Sequence, residues 1–261
     1  MTDKIIVEQS GPILRIIFNQ PEKRNAVSLE MWEAVERALD KYAQDPAIRV
    51  LVMSGAGGKA FVSGADISKF ESERSSAEAV DHYNAVTGRV YDMVEVFPKP
   101  TIAQIDGFCV GGGVALSVCC DIRICGESSA FAIPAARLGL GYGFTGINRL
   151  TNIVGPAFAK EIFFTARRYS AQEALRFGLV NHVVSDGKVF EAAEEMAVQI
   201  NDNAPLTVDA VKFITNQTRL DENKRDLNTC ASMVKACFDS EDYIEGRRAF
   251  MEKRKPIWRG Q

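Results

Sequence analysis

Between the apolar run Thr101 to Ile105 and a helical pattern that begins at Val114, the chain places three consecutive glycines, Gly111-Gly112-Gly113. A triple glycine costs conformational entropy and brings no side chain to packing. It is expected where the backbone must take dihedrals closed to other residues, or where something must approach the main chain closely. Because a helix starts at its end, the amides of Gly112 and Gly113 are expected to point out of a helix N-terminus, where an anion is favoured. The plainer alternative is a tight corner packing strand on helix, and a GGG alone does not separate the two.

The rest of the chain supplies a frame for that corner. Apolar runs from Ile5 to Phe18 flank Ser10-Gly11-Pro12 and predict an antiparallel hairpin turning at the glycine. Ser28 is placed to cap a helix whose Met31, Trp32, Val35 and Leu39 fall at helical spacing. A buried strand is expected at Val50 to Met53. A charged stretch follows Ile67, then a helix from Ala77 to Val96 that Pro98 and Pro100 end. The unit recurs as strand Thr101 to Ile105, glycine corner, helix Val114 to Cys119 and strand Asp121 to Cys125. Ser170-Ala171-Gln172-Glu173 reads as a capping box opening a helix that ends at Gly178, before the apolar run Leu179 to Val184. Strand and helix alternate, so the class is α/β. Strand patterns fade beyond Asp186. The organisation expected is an α/β core over 1–200 and a helical region over 201–261, with Asn201 to Pro205 as the hinge.

Composition excludes several classes of partner. The 261 residues are 46% apolar, enough for one large core, and 31 Lys and Arg stand against 34 Asp and Glu without a polybasic block. Binding to nucleic acid or to an anionic membrane is therefore not expected. The six cysteines show no CxxC spacing and no accompanying histidine pair, so no metal site is expected and reduced core thiols suit a reducing compartment. The opening segment meets Gly11 and Pro12 before an apolar h-region forms, and no window approaches 18 uninterrupted apolar residues. A cytoplasmic location is expected, and a mitochondrial matrix origin with its transit peptide removed is compatible with the same sequence.

A second motif, Phe61-Val62-Ser63-Gly64-Ala65-Asp66-Ile67, changes the reading of the first. Together the two resemble the thioester-binding motifs of the crotonase superfamily, the enoyl-CoA hydratase/isomerase family. The resemblance runs over nearly the whole chain. It implies a spiral of strand-strand-helix units with a C-terminal helical oligomerisation region, and an acyl-CoA substrate of the kind found in fatty acid metabolism. No cofactor is implied beyond the coenzyme A carried by the substrate. The amides of Ala65 and Gly112 are implied to hold the thioester oxygen, with Gly111 and Ile67 also contacting substrate. One preorganised donor of that kind is typically worth about 3 kcal/mol of barrier as an enolate forms. Pro21-Glu22-Lys23-Arg24-Asn25-Ala26 resembles the family's adenine-side loop, implying a backbone contact at Ala26 and a phosphate contact at Arg24. Phe250 and Lys253 are implied to reach the ligand of a neighbouring subunit in a homotrimer, or in a hexamer built as a dimer of trimers.

The sequence also departs from its family. Hydratases of this kind carry two glutamates that hold and activate water, and the matching positions here are Ala115 and Ala135. A placed acid or base typically contributes about 10²–10⁴-fold, so lyase chemistry here is expected to be hydratase-like without an orthodox hydratase's carboxylates. Leu138-Gly139-Leu140-Gly141-Tyr142-Gly143-Phe144-Thr145-Gly146-Ile147 resembles the methylmalonyl-CoA decarboxylase branch, which implies an active-site role for Tyr142. Loss of CO₂ from a malonyl-type thioester delivers an electron pair to the α-carbon without a base, so decarboxylation is one alternative. A catalytically weak CoA-thioester-binding protein is another. Arg137 and His82 are weaker candidates for the site. Gly141-Tyr142-Gly143-Phe144-Thr145-Gly146 is formally GxGxxG, but the broken stretch before it is no buried strand, which rejects a dinucleotide fold.

Overall fold

In the computed structural model, which describes residues 2–69 and 75–261, β1 (Ile5–Ser10) and β2 (Ile13–Phe18) form the expected antiparallel hairpin. Ser10 pairs with Ile13, leaving a two-residue loop in which Gly11 takes φ +55°, a backbone conformation that hairpin loops of this length require. Every later strand of the large sheet adds in parallel. β3 (Val50–Gly55), β5 (Thr101–Ile105), β7 (Ile122–Gly126) and β10 (His182–Val184) give the order β1-β2-β3-β5-β7-β10. A second sheet has the order β4-β6-β8-β9, built from β4 (Ala60–Val62), β6 (Phe108–Val110), β8 (Ala130–Ala132) and β9 (Tyr169–Ser170).

Each central unit sends one strand to each sheet and then turns into a helix. After β3 and β4 comes α2 (Ala77–Glu95), after β5 and β6 comes α3 (Gly112–Ser117), and after β7 and β8 comes α4 (Ala135–Leu138), with α1 (Leu29–Tyr42) preceding them. This is the expected spiral of strand-strand-helix units. The charged stretch after Ile67 lies, over 70–74, outside the described residues. Side chains alternate across the large sheet. Leu14, Ile16, Leu51 and Met53 join Trp32, Leu39 and Phe61 in the main core, while Ile13, Val50, Val52 and Ile102 pack on Val189, Ala193 and Ala197 of α7 (Val189–Asn201). Both faces are covered, which is why these strands read as continuous apolar runs rather than as alternating ones.

The remaining helices are α5 (Phe144–Thr165), α6 (Ala171–Arg176), α8 (Pro205–Thr218), α9 (Leu227–Asp239) and α10 (Glu241–Glu252). Gly155, at φ 75°, breaks α5 just before Pro156. The capping box at α6 forms in full, Ser170 accepting from the Glu173 amide and the Glu173 carboxylate accepting from the Ser170 amide. Two local expectations are corrected. Ser28 stands at the N-cap of α1, yet its side chain makes no capping bond and its buried hydroxyl finds no partner among the described residues. The helix expected from Val114 begins at Gly112, two residues earlier, and Phe108–Val110 is a strand of the second sheet. Among the described residues, no helix is long and apolar enough to cross a membrane.

Candidate active site

The three glycines of the corner serve different purposes. β6 delivers the chain to Gly111, whose φ 54° and ψ −110° are closed to residues with a side chain, and its amide donates to Ala132 O of β8 at 2.8 Å. A methyl group on Gly113 would lie 2.1 Å from the Val62 carbonyl oxygen, so α3 rests directly on β4. On Gly112 it would lie 3.3 Å from Tyr91 Oη and 3.8 Å from Gly64 Cα. That last distance shows how little space separates the two sequence motifs, because Gly64 directly precedes Ala65.

Around Ala65 the chain forms a single parallel bridge with Val27. The Val27 amide donates to Gly64 O at 2.8 Å, and the Asp66 amide donates to Val27 O at 3.0 Å. In a parallel bridge of this pattern, both bonds are made by Val27, and the N–H of the opposing residue faces the other way. The Ala65 amide is thus turned from Val27. The Gly112 amide belongs to the first turn of α3, whose N–H groups the helical ladder does not use.

Polar side chains that the sequence did not single out hold these loops. Asn25 is buried; its Oδ1 accepts from the Gln20 amide at 2.9 Å, and its Nδ2 donates to Ala56 O and Ala60 O at 3.0 and 2.7 Å. Arg24 and Asn25 both take positive φ, near 54°, a left-handed backbone that this anchoring sustains. Asp66 is also buried, and accepts from Lys23 Nζ and Ser68 Oγ at 2.8 and 2.6 Å and from Gln20 Nε2 at 3.4 Å. Burial raises the Asp66 pKa, but Lys23, Ser68 and Gln20 together outweigh it and bring the value down to about 2. Ala26 is half-buried in this loop. Ile67 is exposed in the short turn after Asp66. The Arg24 guanidinium lies 5.0 Å from the Phe108 ring centre, and Arg168 stands 5.3 Å from the same ring.

The two alanines and a group of phenols are carried by α2, α3, α4 and the segment after α4. Ala115 is half-buried on α3, and Ala135 is buried at the start of α4. Tyr142, between α4 and α5, meets Phe163 edge-on with ring centres 5.0 Å apart, and burial raises its phenol pKa. Tyr91, on α2, donates to Gly112 O at 3.3 Å. Its phenol is pushed well above the usual tyrosine range, first by burial and then by Tyr142, Tyr83 and Cys119 within electrostatic reach. Cys119 Sγ donates to Ala115 O at 3.1 Å, and burial holds its thiol protonated. Arg149 is buried and tied to Asp92 and Glu95 at 2.5 and 2.7 Å.

Of the residues expected at the site, Gly111 and Gly112 lie close to the loop that carries Ala65, Arg24 and Ala26 lie on the loop bridged to it, and Tyr142 packs against the same core as Tyr91. Arg137 and His82 are exposed, Arg137 on α4 and His82 on α2. Phe250 and Lys253 are also exposed, at the far end of α10, an element that packs on α9. A concavity of about 480 Å³ lies between α10 and the C-terminal tail, lined by Arg248, Arg254, Ile257 and other residues of that region rather than by the glycine corner. Asn25 and Asp66 stand inside the two loop motifs without a role assigned to them from sequence, and Tyr91 belongs to neither motif. For Tyr91 a pointer existed, a tyrosine beside the apolar stripe Tyr83, Val86, Val90, Val94 of the helix leading to the glycine corner.

Comparison with known proteins gives this geometry a family. The family model described as enoyl-CoA hydratase/isomerase matches residues 8–261. The chain belongs to the enoyl-CoA hydratase/isomerase family, within the crotonase superfamily. It is 35% identical over 267 residues to a carnitinyl-CoA dehydratase of Salmonella typhi, covering all of both chains. It is likewise 35% identical over 253 residues to a crotonyl-CoA hydratase of Syntrophomonas wolfei, covering 97% of this chain and 96% of that one. Among solved structures, an enoyl-CoA hydratase/carnithine racemase from Magnetospirillum magneticum superposes with a TM-score of 0.94 at 34% identity, over 100% of this chain and 97% of that one. An enoyl-CoA hydratase from Bacillus anthracis gives 0.90 at 34% identity, over 99% and 100%. Membership makes this an acyl-CoA-processing scaffold whose named relatives hydrate and dehydrate.

Proposed function

We propose that the protein is an acyl-CoA lyase that draws the thioester oxygen between the amides of Ala65 and Gly112 and stabilises the enolate formed there. The observation that supports this reading is the closeness of Gly64 to Gly111 and Gly112, a methyl group on either of which would stand within 3.9 Å of Gly64 Cα, together with the Val27 bridge that leaves the Ala65 amide turned away. Negative charge moves from the α-carbon to the thioester oxygen as the enolate forms, and fixed donors at that oxygen lower the barrier without reorganising. Tyr142 serves the acyl side as a neutral hydrogen-bond donor, since burial keeps its proton in place. Arg24, Ala26 and Ile67 form the coenzyme A side, where the anchored 24–26 loop presents backbone and one guanidinium to the nucleotide. Phe250 and Lys253 of a neighbouring copy complete it in a trimer or a dimer of trimers.

A second reading is favoured by the methyl groups of Ala115 and Ala135, which stand where the family resemblance implies carboxylates. Decarboxylation of a malonyl-type thioester needs no base. The bond between the α-carbon and the carboxylate breaks, CO₂ leaves, the electron pair becomes the enolate, and a proton then returns to carbon. The test is to mix the full-length protein with crotonyl-CoA, methylmalonyl-CoA and ethylmalonyl-CoA and to follow hydration and CO₂ release side by side. Hydration of crotonyl-CoA supports the first reading. CO₂ release without hydration supports the second, and tight binding of all three without turnover overturns both in favour of a thioester-binding protein.

A further inference from the structure

The triplet that supplies Gly112 is a weak place to fix an amide. Glycine has the freest backbone of any residue, α3 is only six residues long, and Gly111 at its N-cap has no side chain with which to cap it. A donor there is useful only if the peptide is held in register with the substrate oxygen. Among the described residues, the side-chain hydrogen bond to the triplet comes from Tyr91, whose Oη donates to Gly112 O at 3.3 Å.

We propose that Tyr91 is a positioning residue of the thioester site, its hydroxyl holding the Gly112 carbonyl and so, through the shared Cα, the direction in which the Gly112 amide meets the substrate oxygen. The proposal rests on the reading of Ala65 and Gly112 as the oxygen-binding pair. The ring of Tyr91 is well placed for the task. Trp32, almost fully buried on α1, meets it edge-on with ring centres 5.4 Å apart, and Trp32 Nε1 donates to Tyr83 Oη at 3.2 Å on the same helix as Tyr91. The ring is therefore backed by rigid core while its hydroxyl reaches the corner. Burial keeps that hydroxyl protonated, so it remains a donor across the working pH range. It also marks the limit of the space at Gly112, since an added methyl group would stand 3.3 Å from it.

The alternative is that Tyr91 merely fills space, in which case its ring suffices and its oxygen is idle. Tyr91→Phe separates the two, because it deletes one oxygen and leaves the packing on Trp32. The measurement is the infrared carbonyl band of crotonyl-CoA carrying ¹³C at the thioester carbon, recorded free and bound to the full-length protein. Wild type is expected to move the band to lower frequency, as donors at the oxygen polarise the bond. In Tyr91→Phe the shift should fall to about half or less, while the dissociation constant stays within about threefold. Trp32→Phe, which loosens the packing and keeps the hydroxyl, should retain the shift. An unchanged band in Tyr91→Phe, or an equal loss in Trp32→Phe, overturns the role given to the hydroxyl. A wild-type protein that binds crotonyl-CoA without moving the band overturns the oxygen-binding pair itself, a result distinct from failure of Tyr91 alone.

Discussion

At Gly113 a methyl group would meet the Val62 carbonyl oxygen at 2.1 Å, and backbone cannot yield as a flexible side chain would. Gly113→Ala should therefore push α3 off β4 and destabilise the fold by about 1–3 kcal/mol, read as a lower urea midpoint. Gly112→Ala contrasts with it. The added carbon would stand at 3.3 Å from Tyr91 Oη and 3.8 Å from Gly64 Cα, distances that small shifts accommodate, so the fold should be retained. The same carbon crowds the Tyr91 hydroxyl and stands between the facing loops, and turnover should drop by about 10²-fold. Comparing urea midpoint and rate in the two variants tells structural glycine from functional glycine. Tyr142 carries a third expectation. Burial raises its pKa, so the neutral phenol present below that pKa persists further into alkaline solution than a free tyrosine would. Turnover should show no alkaline loss from this group below about pH 10, and Tyr142→Phe should lower the rate at every pH in that range rather than shift the profile. A variant as active as wild type would remove Tyr142 from the chemistry.

The loop of residues 20–27 owes its shape to side chains buried beneath it. Asp66 is its ionic anchor, and the sign of its contribution follows from its lowered pKa. A depressed carboxyl stabilises the fold above its unfolded value, near 4, and loses that contribution as pH falls toward the folded value of about 2. Lys23 is about two-fifths exposed, so solvent screening reduces the term to about 1–2 kcal/mol. Asp66→Asn should thus lower the urea midpoint at pH 7, and the gap from wild type should narrow between pH 4 and pH 2; a gap constant with pH would show that the carboxylate's charge is not what holds the loop. This anchor was hidden in the sequence because Gln20, Asn25 and Asp66 lie up to 46 positions apart and look like ordinary loop residues. What was legible is what is local. The β1–β2 hairpin, the buried face of α1, the limits of β5 and the capping box of α6 follow from turn chemistry and spacing within a few residues. The strand at Phe108–Val110 was missed for the opposite reason, since its partners β4 and β8 are remote in sequence and three residues beside glycines carry little periodicity. The early start of α3 was missed because glycine, a poor helix former, opens it only where tertiary contacts with Val62 require the chain to lie.

Across the whole molecule, the large sheet is covered on both faces, and the C-terminal helices are among the elements that leave large apolar side chains in water. Leu227 and Phe238 of α9 and Ile244, Phe250 and Met251 of α10 are more than half exposed, Phe250 at 82%. Exposed apolar side chains gathered on two neighbouring helices are what an interface between copies would use. The proposed trimer would cover these side chains with copies of the same chain and bring Phe250 and Lys253 of one copy toward the coenzyme A side of the next. Sedimentation or light scattering should then give three or six times the 28.7 kDa chain mass. Phe250→Asp would place a charge in the face that the trimer buries and should shift the mass toward that of one chain. Both residues lie far along the chain from the glycine corner, so their effect on ligand discriminates the models. If they serve a neighbour's site, crotonyl-CoA should bind Lys253→Ala about 10-fold more weakly while the assembly mass stays unchanged, and Phe250→Asp should lose assembly and affinity together. An Lys253→Ala assembly that binds as tightly as wild type would confine the site to a single chain and leave α10 with a structural task alone.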